Sequence, residues 1–179
     1  MKNIFLKFVA LVMLSSLVAY ACEKPAPTPP VDNPQEKPDD TPVQPPVDPT
    51  DTSIKILAIG NSFSVDAMEY LWGILDQAGY ESITLGNLYI GGCSLETHAN
   101  NFKNNSASYT YYTNTTGTWS NTKSYAPLNA LKAHDWDIIT IQQVSHLAGK
   151  PESFEPFLSN LLTAIRALCP NARLYFQET

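Results

Sequence analysis

Gly60-Asn61-Ser62 closes an apolar run, Ile54 to Ile59, and a helical pattern begins directly after it. A serine at such a strand-to-helix elbow presents its hydroxyl at the carboxyl end of a sheet strand. There, backbone N–H groups of the turn and of the helix start can hold a developing oxyanion. Two more strand-like runs end in loops with reactive or hydrogen-bonding residues: Gly91-Gly92-Cys93-Ser94, and Gln142-Gln143-Val144-Ser145-His146. Each candidate also has a plainer role. Ser62 can cap its helix, His146 can be a polar loop residue, and His98, two residues after Glu96, can make a structural hydrogen bond. Asp135 and Asp137 flank Trp136 at the start of a strand, the wrong end of a parallel sheet for catalysis. No group of side chains has metal-ligand spacing, and neither a phosphate-binding glycine loop nor a dinucleotide fingerprint occurs, so no metal and no cofactor is expected.

These loops need a scaffold that brings strand ends together. Ile54 to Ile59 is a continuous apolar run of the buried parallel-strand type, and Ile83 to Ile90 reads as a second strand. Between them Val65 to Ala78 has helical periodicity, with Met68, Leu71, Trp72 and Leu75 on one face and Gly79 closing it. From Asn100 to Tyr125 the composition turns to Asn, Ser, Thr, Tyr and Gly. There Tyr109 to Tyr112 and Thr118 to Ser120 flank Asn114-Thr115-Thr116-Gly117, which predicts a short hairpin or an ordered excursion out of the sheet. A short helix (Leu128 to His134), a strand (Asp137 to Ile141), a loop to Pro151, a helix from Ser153 to Leu168 and a last strand (Arg173 to Gln177) follow. The alternation predicts an α/β domain over residues 53–179 with an open parallel sheet and right-handed crossovers. Cys93 and Cys169 are either a disulfide or two buried thiols.

The first 52 residues have a different character. Lys2 and Lys7 flank the start of an apolar run that ends in Ala19-Tyr20-Ala21-Cys22, which predicts a signal peptide over residues 1–21 and acylation of Cys22. Ten of the 14 prolines lie in residues 23–51, among Asp, Glu, Thr and Gln, so residues 22–52 read as a lipidated cysteine and an extended tether. The expected location is the cell envelope, lipid-anchored to the outer membrane. A net charge of -6, much of it in the tether, argues against nucleic acid as a partner.

The blocks GNSFS, IGGCSLE with a following histidine, and IQQ with a following serine resemble the SGNH (GDSL-like) hydrolase superfamily, and within it an uncharacterised lipoprotein family of the domain of unknown function 4886 type. The resemblance runs from Ile54 onward. It implies a flavodoxin-like three-layer sandwich with a mostly parallel sheet, and an esterase acting on a small-molecule or carbohydrate ester. By this resemblance Ser62 is the nucleophile and Gly91 or Gly92 donates a backbone N–H to the oxyanion. Gln142 or Gln143 stands where the superfamily usually has an asparagine donor. Asn61 occupies a position where aspartate is common, and His98 and His146 are possible site-lining residues. The superfamily activates its serine with a histidine that has an aspartate three residues earlier. Here His98 is preceded at that spacing by Leu95, His134 by Leu131 and His146 by Gln143. The chain therefore reads as truncated after its fourth strand and inactive in that form, the alternative being a non-catalytic glycan-binding or structural lipoprotein on the same scaffold.

Overall fold

A computed structural model describes residues 51–179; the signal segment, Cys22 and the tether as far as residue 50 lie outside the described residues. Ser53–Gly60 (β1) is in the middle of the sheet and buried throughout except for the half-buried Ser53 and Lys55. It pairs in parallel with Ser82–Tyr89 (β2) on one side and with Ile138–Gln142 (β5) on the other. Arg173–Gln177 (β6) adds in parallel beyond β5 and forms one edge of the sheet.

The polar stretch is a member of the sheet and not an excursion from it. Tyr109–Asn114 (β3) pairs antiparallel with β2, and Ser120–Tyr125 (β4) pairs antiparallel with β3. The strand order is β4-β3-β2-β1-β5-β6, so four strands are parallel and a hairpin extends them. Arg173–Gln177, expected as the fourth strand, is sixth in chain order and fourth of the parallel set. The reason the hairpin stays ordered is visible in its inner strand. Tyr109 and Tyr111 are buried on one face, and Asn114 Oδ1 accepts the N–H groups of Thr116 and Gly117 to close the turn.

Helices cover both faces. Ser62–Met68 (α1) and Leu71–Gln77 (α2) pack Met68, Leu71, Trp72 and Leu75 on Ile54, Ile56, Ala58, Ile83 and Leu85. The single helix expected over this stretch is broken at Glu69–Tyr70, where the Glu69 N–H reaches back only to Asp66 O and Tyr70 sits at φ -102°, ψ -1°. The break lets the second half turn its apolar side onto β2. Leu95–Asn104 (α3), Pro127–Ala133 (α4) and Phe157–Leu168 (α6) cover the other face, over Leu57, Ile59, Leu88, Ile139 and Ile141. Each such aliphatic side chain contributes about 1.5–3 kcal/mol on burial. Within the loop after β5 lies a one-turn helix, Ser145–Ala148 (α5), and then a 3₁₀ turn, Pro151–Ser153. Cys93 and Cys169 are both buried free thiols. No described helix is long and apolar enough to cross a membrane.

Candidate functional site at the carboxyl ends of the strands

The parallel register aligns Gly60 with Tyr89 and Gln142 with Gln177, which brings the loops after β1, β2, β5 and β6 to one end of the sheet. Gly60 must be glycine there. A Cβ at this position would lie 2.8 Å from both Gln142 Cδ and Ser64 Cβ, closer than side chains tolerate. Asn61 follows as the N-cap of α1 and is itself buried, its Oδ1 accepting the Phe63 N–H at 3.1 Å. The same oxygen accepts from Gln142 Nε2 at 2.6 Å, while Asn61 Nδ2 donates to Cys93 O at 3.2 Å. One amide thus ties the ends of β1, β2 and β5 together. An aspartate could not do this, since it has no donor for the Cys93 carbonyl.

Ser62 comes next and is exposed. Among the described residues its backbone N–H has no hydrogen-bond partner, and neither do the N–H groups of Gly91 and Gly92, both also exposed. Gly92 has φ +63°, a conformation that a glycine adopts without strain. The Ile90 N–H donates to Gly60 O at 3.1 Å, which holds the start of the glycine turn against the serine elbow.

The two glutamines point to opposite sides, as neighbours at a strand end must. Gln142 lies on the Asn61 side, with its Oε1 buried and without a partner. Gln143 is wholly buried on the other side. Its Oε1 accepts from Leu95 N at 3.0 Å and Val144 N at 2.9 Å, and its Nε2 donates to Ser153 O and Oγ, each at 3.1 Å. Its hydrogen-bonding capacity is therefore filled by its own neighbour Val144 and by two separate segments, at Leu95 and Ser153. From β6, Gln177 Nε2 donates to Phe63 O at 3.1 Å and Thr179 Oγ1 to Gln143 O at 3.0 Å, so the last strand closes the same end of the sheet.

None of the three histidines makes a hydrogen bond to Ser62 among the described residues. His146 is exposed on α5. His98 is on the buried side of α3, with Nδ1 2.9 Å from Tyr109 Oη, the rings stacked, and Nε2 buried without a partner. Burial pulls its pKa down from 6.5 to about 4, so the imidazole is neutral near pH 7. Burial likewise pushes the Cys93 thiol up to about 12, which leaves it unreactive. His134 lies at the other end of β5, with a pKa lowered by partial burial and by Lys55. No group of His, Cys, Asp and Glu side chains among the described residues is arranged to hold a metal ion.

Sequence reasoning overlooked Ser64 and Asn87. Ser64 Oγ donates its one proton between Asn61 O at 2.7 Å and Asn87 Oδ1 at 3.0 Å, buttressing the elbow from below. The available signal was a lone asparagine within the apolar run Leu85 to Leu88.

Residues 55–178 match the family model described as "Domain of unknown function (DUF4886)". The chain belongs to the DUF4886 family. Among solved structures, this DUF4886 domain is similar to a DUF4886 family protein from Bacteroides uniformis, with 39% sequence identity and a TM-score of 0.65. That match covers 69% of this chain and 49% of the other, so the chain spans about half the length of its solved relative. No curated protein matches it.

Proposed function

We propose that this DUF4886 domain carries an SGNH-type acyl-hydrolase site with Ser62 as nucleophile, on a lipoprotein anchored through Cys22 to the outer membrane. The observation that carries the reading is an exposed serine at the β1–α1 elbow beside three backbone N–H groups (Ser62, Gly91, Gly92) with no partner among the described residues. In the reaction Ser62 Oγ bonds to the acyl carbon of a carbohydrate ester while the carbonyl electron pair moves onto oxygen. The N–H groups of Ser62 and of Gly91 or Gly92 stabilise that oxyanion. Its collapse expels the sugar hydroxyl and leaves an acyl-serine for water to cleave. The first step needs a base for the Ser62 proton, and none of the chain's 3 histidines has an aspartate three residues earlier. Without that pair the hydroxyl keeps its ordinary, unreactive character.

A second reading, a non-catalytic glycan-binding or structural lipoprotein on the same scaffold, is favoured by one feature. Gln143 has no free amide hydrogen, and Gln142 Nε2 is engaged with Asn61. A side-chain oxyanion donor would have to come from the remaining Gln142 hydrogen.

Aryl acetate hydrolysis by this chain and by its Bacteroides uniformis relative, each beside a variant with the elbow serine changed to alanine, separates the readings. We expect serine-dependent turnover from the relative and none from this chain above Ser62→Ala. A relative without serine-dependent turnover refutes the hydrolase reading. Ser62-dependent turnover by this chain refutes its inactivity and directs attention to His146.

A further inference from the structure

Beside the elbow, between α1 and the hairpin, lies a cavity of about 300 Å³ lined by Val65, Met68, Glu69, Asn87, Tyr112 and Trp119. The volume is at the small end of natural ligand sites and suits a single ring. Most of the wall is apolar, with the half-buried rings of Tyr112 and Trp119 on the hairpin side. The exception is Asn87. It is 2% exposed, its Oδ1 is used by Ser64, and its amide nitrogen has no partner among the described residues. Glu69 adds an exposed carboxylate at the mouth.

We propose that this cavity binds one uncharged sugar ring, with its C–H face against Trp119 and Tyr112 and its hydroxyls on Asn87 and Glu69. Three physical points select that class. A pyranose has the required combination of an apolar face and a hydroxyl rim, and aromatic side chains provide flat apolar area with little loss of rotamer freedom. An alkyl chain in the same space would desolvate the Asn87 amide without replacing its hydrogen bond, which buried polar groups do not tolerate well. The Glu69 carboxylate opposes anionic ligands, including fatty acids and nucleotides. The hairpin adds this aromatic wall to the parallel set β2, β1, β5 and β6.

Val65 and Glu69 follow Ser62 by three and seven residues, so all three share one stripe of α1 and its C-cap. Val65 stands about 4.5 Å further along the helix axis than Ser62. A ring in the cavity therefore leaves a neighbouring substituent beside the serine. This last step rests on Ser62 as nucleophile; the binding itself does not.

Saturation-transfer NMR on the full chain tests it, with methyl glucoside, methyl galactoside and N-acetylglucosamine as probes and hexanoate and adenosine as comparators. We expect transfer to the ring protons of at least one sugar and to neither comparator. The signal should be lost in Trp119→Ala and weakened at least several-fold in Glu69→Gln, kept in Trp119→Phe, and unchanged in Ser62→Ala. Glu69 is exposed, so its variant keeps the test meaningful even where Trp119→Ala does not fold. Transfer only to hexanoate or adenosine, transfer to none of the probes, or sugar binding indifferent to Trp119→Ala and Glu69→Gln overturns the proposal. Absence of serine-dependent hydrolysis in the Bacteroides uniformis relative, with sugar binding by this chain intact, would sink the Ser62 reading alone.

Discussion

Acidification should weaken this fold through one buried histidine. His98 is fully enclosed, and its pKa falls from 6.5 to about 4 because burial penalises the imidazolium. In the unfolded chain the imidazole takes up a proton as pH drops through about 6.5, whereas the folded protein stays neutral until about pH 4. Protonation thus favours the unfolded state across that window, at about 1.4 kcal/mol per pH unit. The loss reaches about 2.5 kcal/mol by pH ~4.5 and ~3 kcal/mol in full, a large fraction of the 5–15 kcal/mol that domains typically possess. Urea unfolding between pH ~7.5 and ~4.5 measures it, with His98→Gln as the reference that cannot titrate. The gap between wild type and His98→Gln should shrink by about 2.5 kcal/mol as the pH falls, whatever its size at neutrality. Taking the difference removes the carboxylates and the smaller contribution of His134, which are common to both proteins. A gap that stays constant within ~0.5 kcal/mol over this range would refute the argument, because it would mean that His98 is charged in the fold or solvated by opening of α3.

Other substitutions probe the strand ends. Gly60→Ala places a Cβ 2.8 Å from Gln142 Cδ and Ser64 Cβ, and should cost about 1–3 kcal/mol, read as a fall in Tm of about 4 °C per kcal/mol. An unchanged Tm would mean that the elbow yields freely. Gln143→Met removes the acceptor of the Leu95 and Val144 N–H groups and should destabilise by about 2–5 kcal/mol in urea unfolding; less than ~1 kcal/mol would show that water replaces it. Cys93, with its thiol pushed up to about 12, should resist iodoacetamide in the native protein and react on addition of urea, as followed by mass spectrometry. Native labelling at the rate of an open thiol would contradict its burial.

What could be read in the sequence follows from how strongly burial marks it. β1, β2 and β5 lie inside the sheet with helices on its two faces, so apolar residues dominate them on both sides and announce them. β4 carries Ser120, Asn121, Thr122, Lys123 and Ser124, all exposed, and only its pairing with β3 makes it a strand. The break between α1 and α2 was hidden because Met68, Leu71, Trp72 and Leu75 keep helical spacing across it. At the site, the serine elbow and the glycine turn were legible as loops after strands. The division of labour between Gln142 and Gln143 was not, since a one-residue uncertainty in where β5 ends exchanges the faces of both. His98 carries a readable sign of burial: Leu95, three residues before it, and Phe102, four after it, share its helix face, and both are buried.

The central place of β1 has a consequence for how the protein is made. Its backbone is satisfied on one side by β2, and on the other by a segment that follows far later, with the Lys55 N–H held by Asp137 Oδ2 at a separation of 82 residues. During synthesis the most apolar strand leaves the ribosome first and keeps one side unpaired until β5 has emerged, about 4–16 s later at 5–20 residues per second. Over that interval Ile54 to Ile59 is a sticky open edge in an incomplete chain. Production of this protein should therefore respond to whatever shields nascent chains, more than its folded stability alone would suggest.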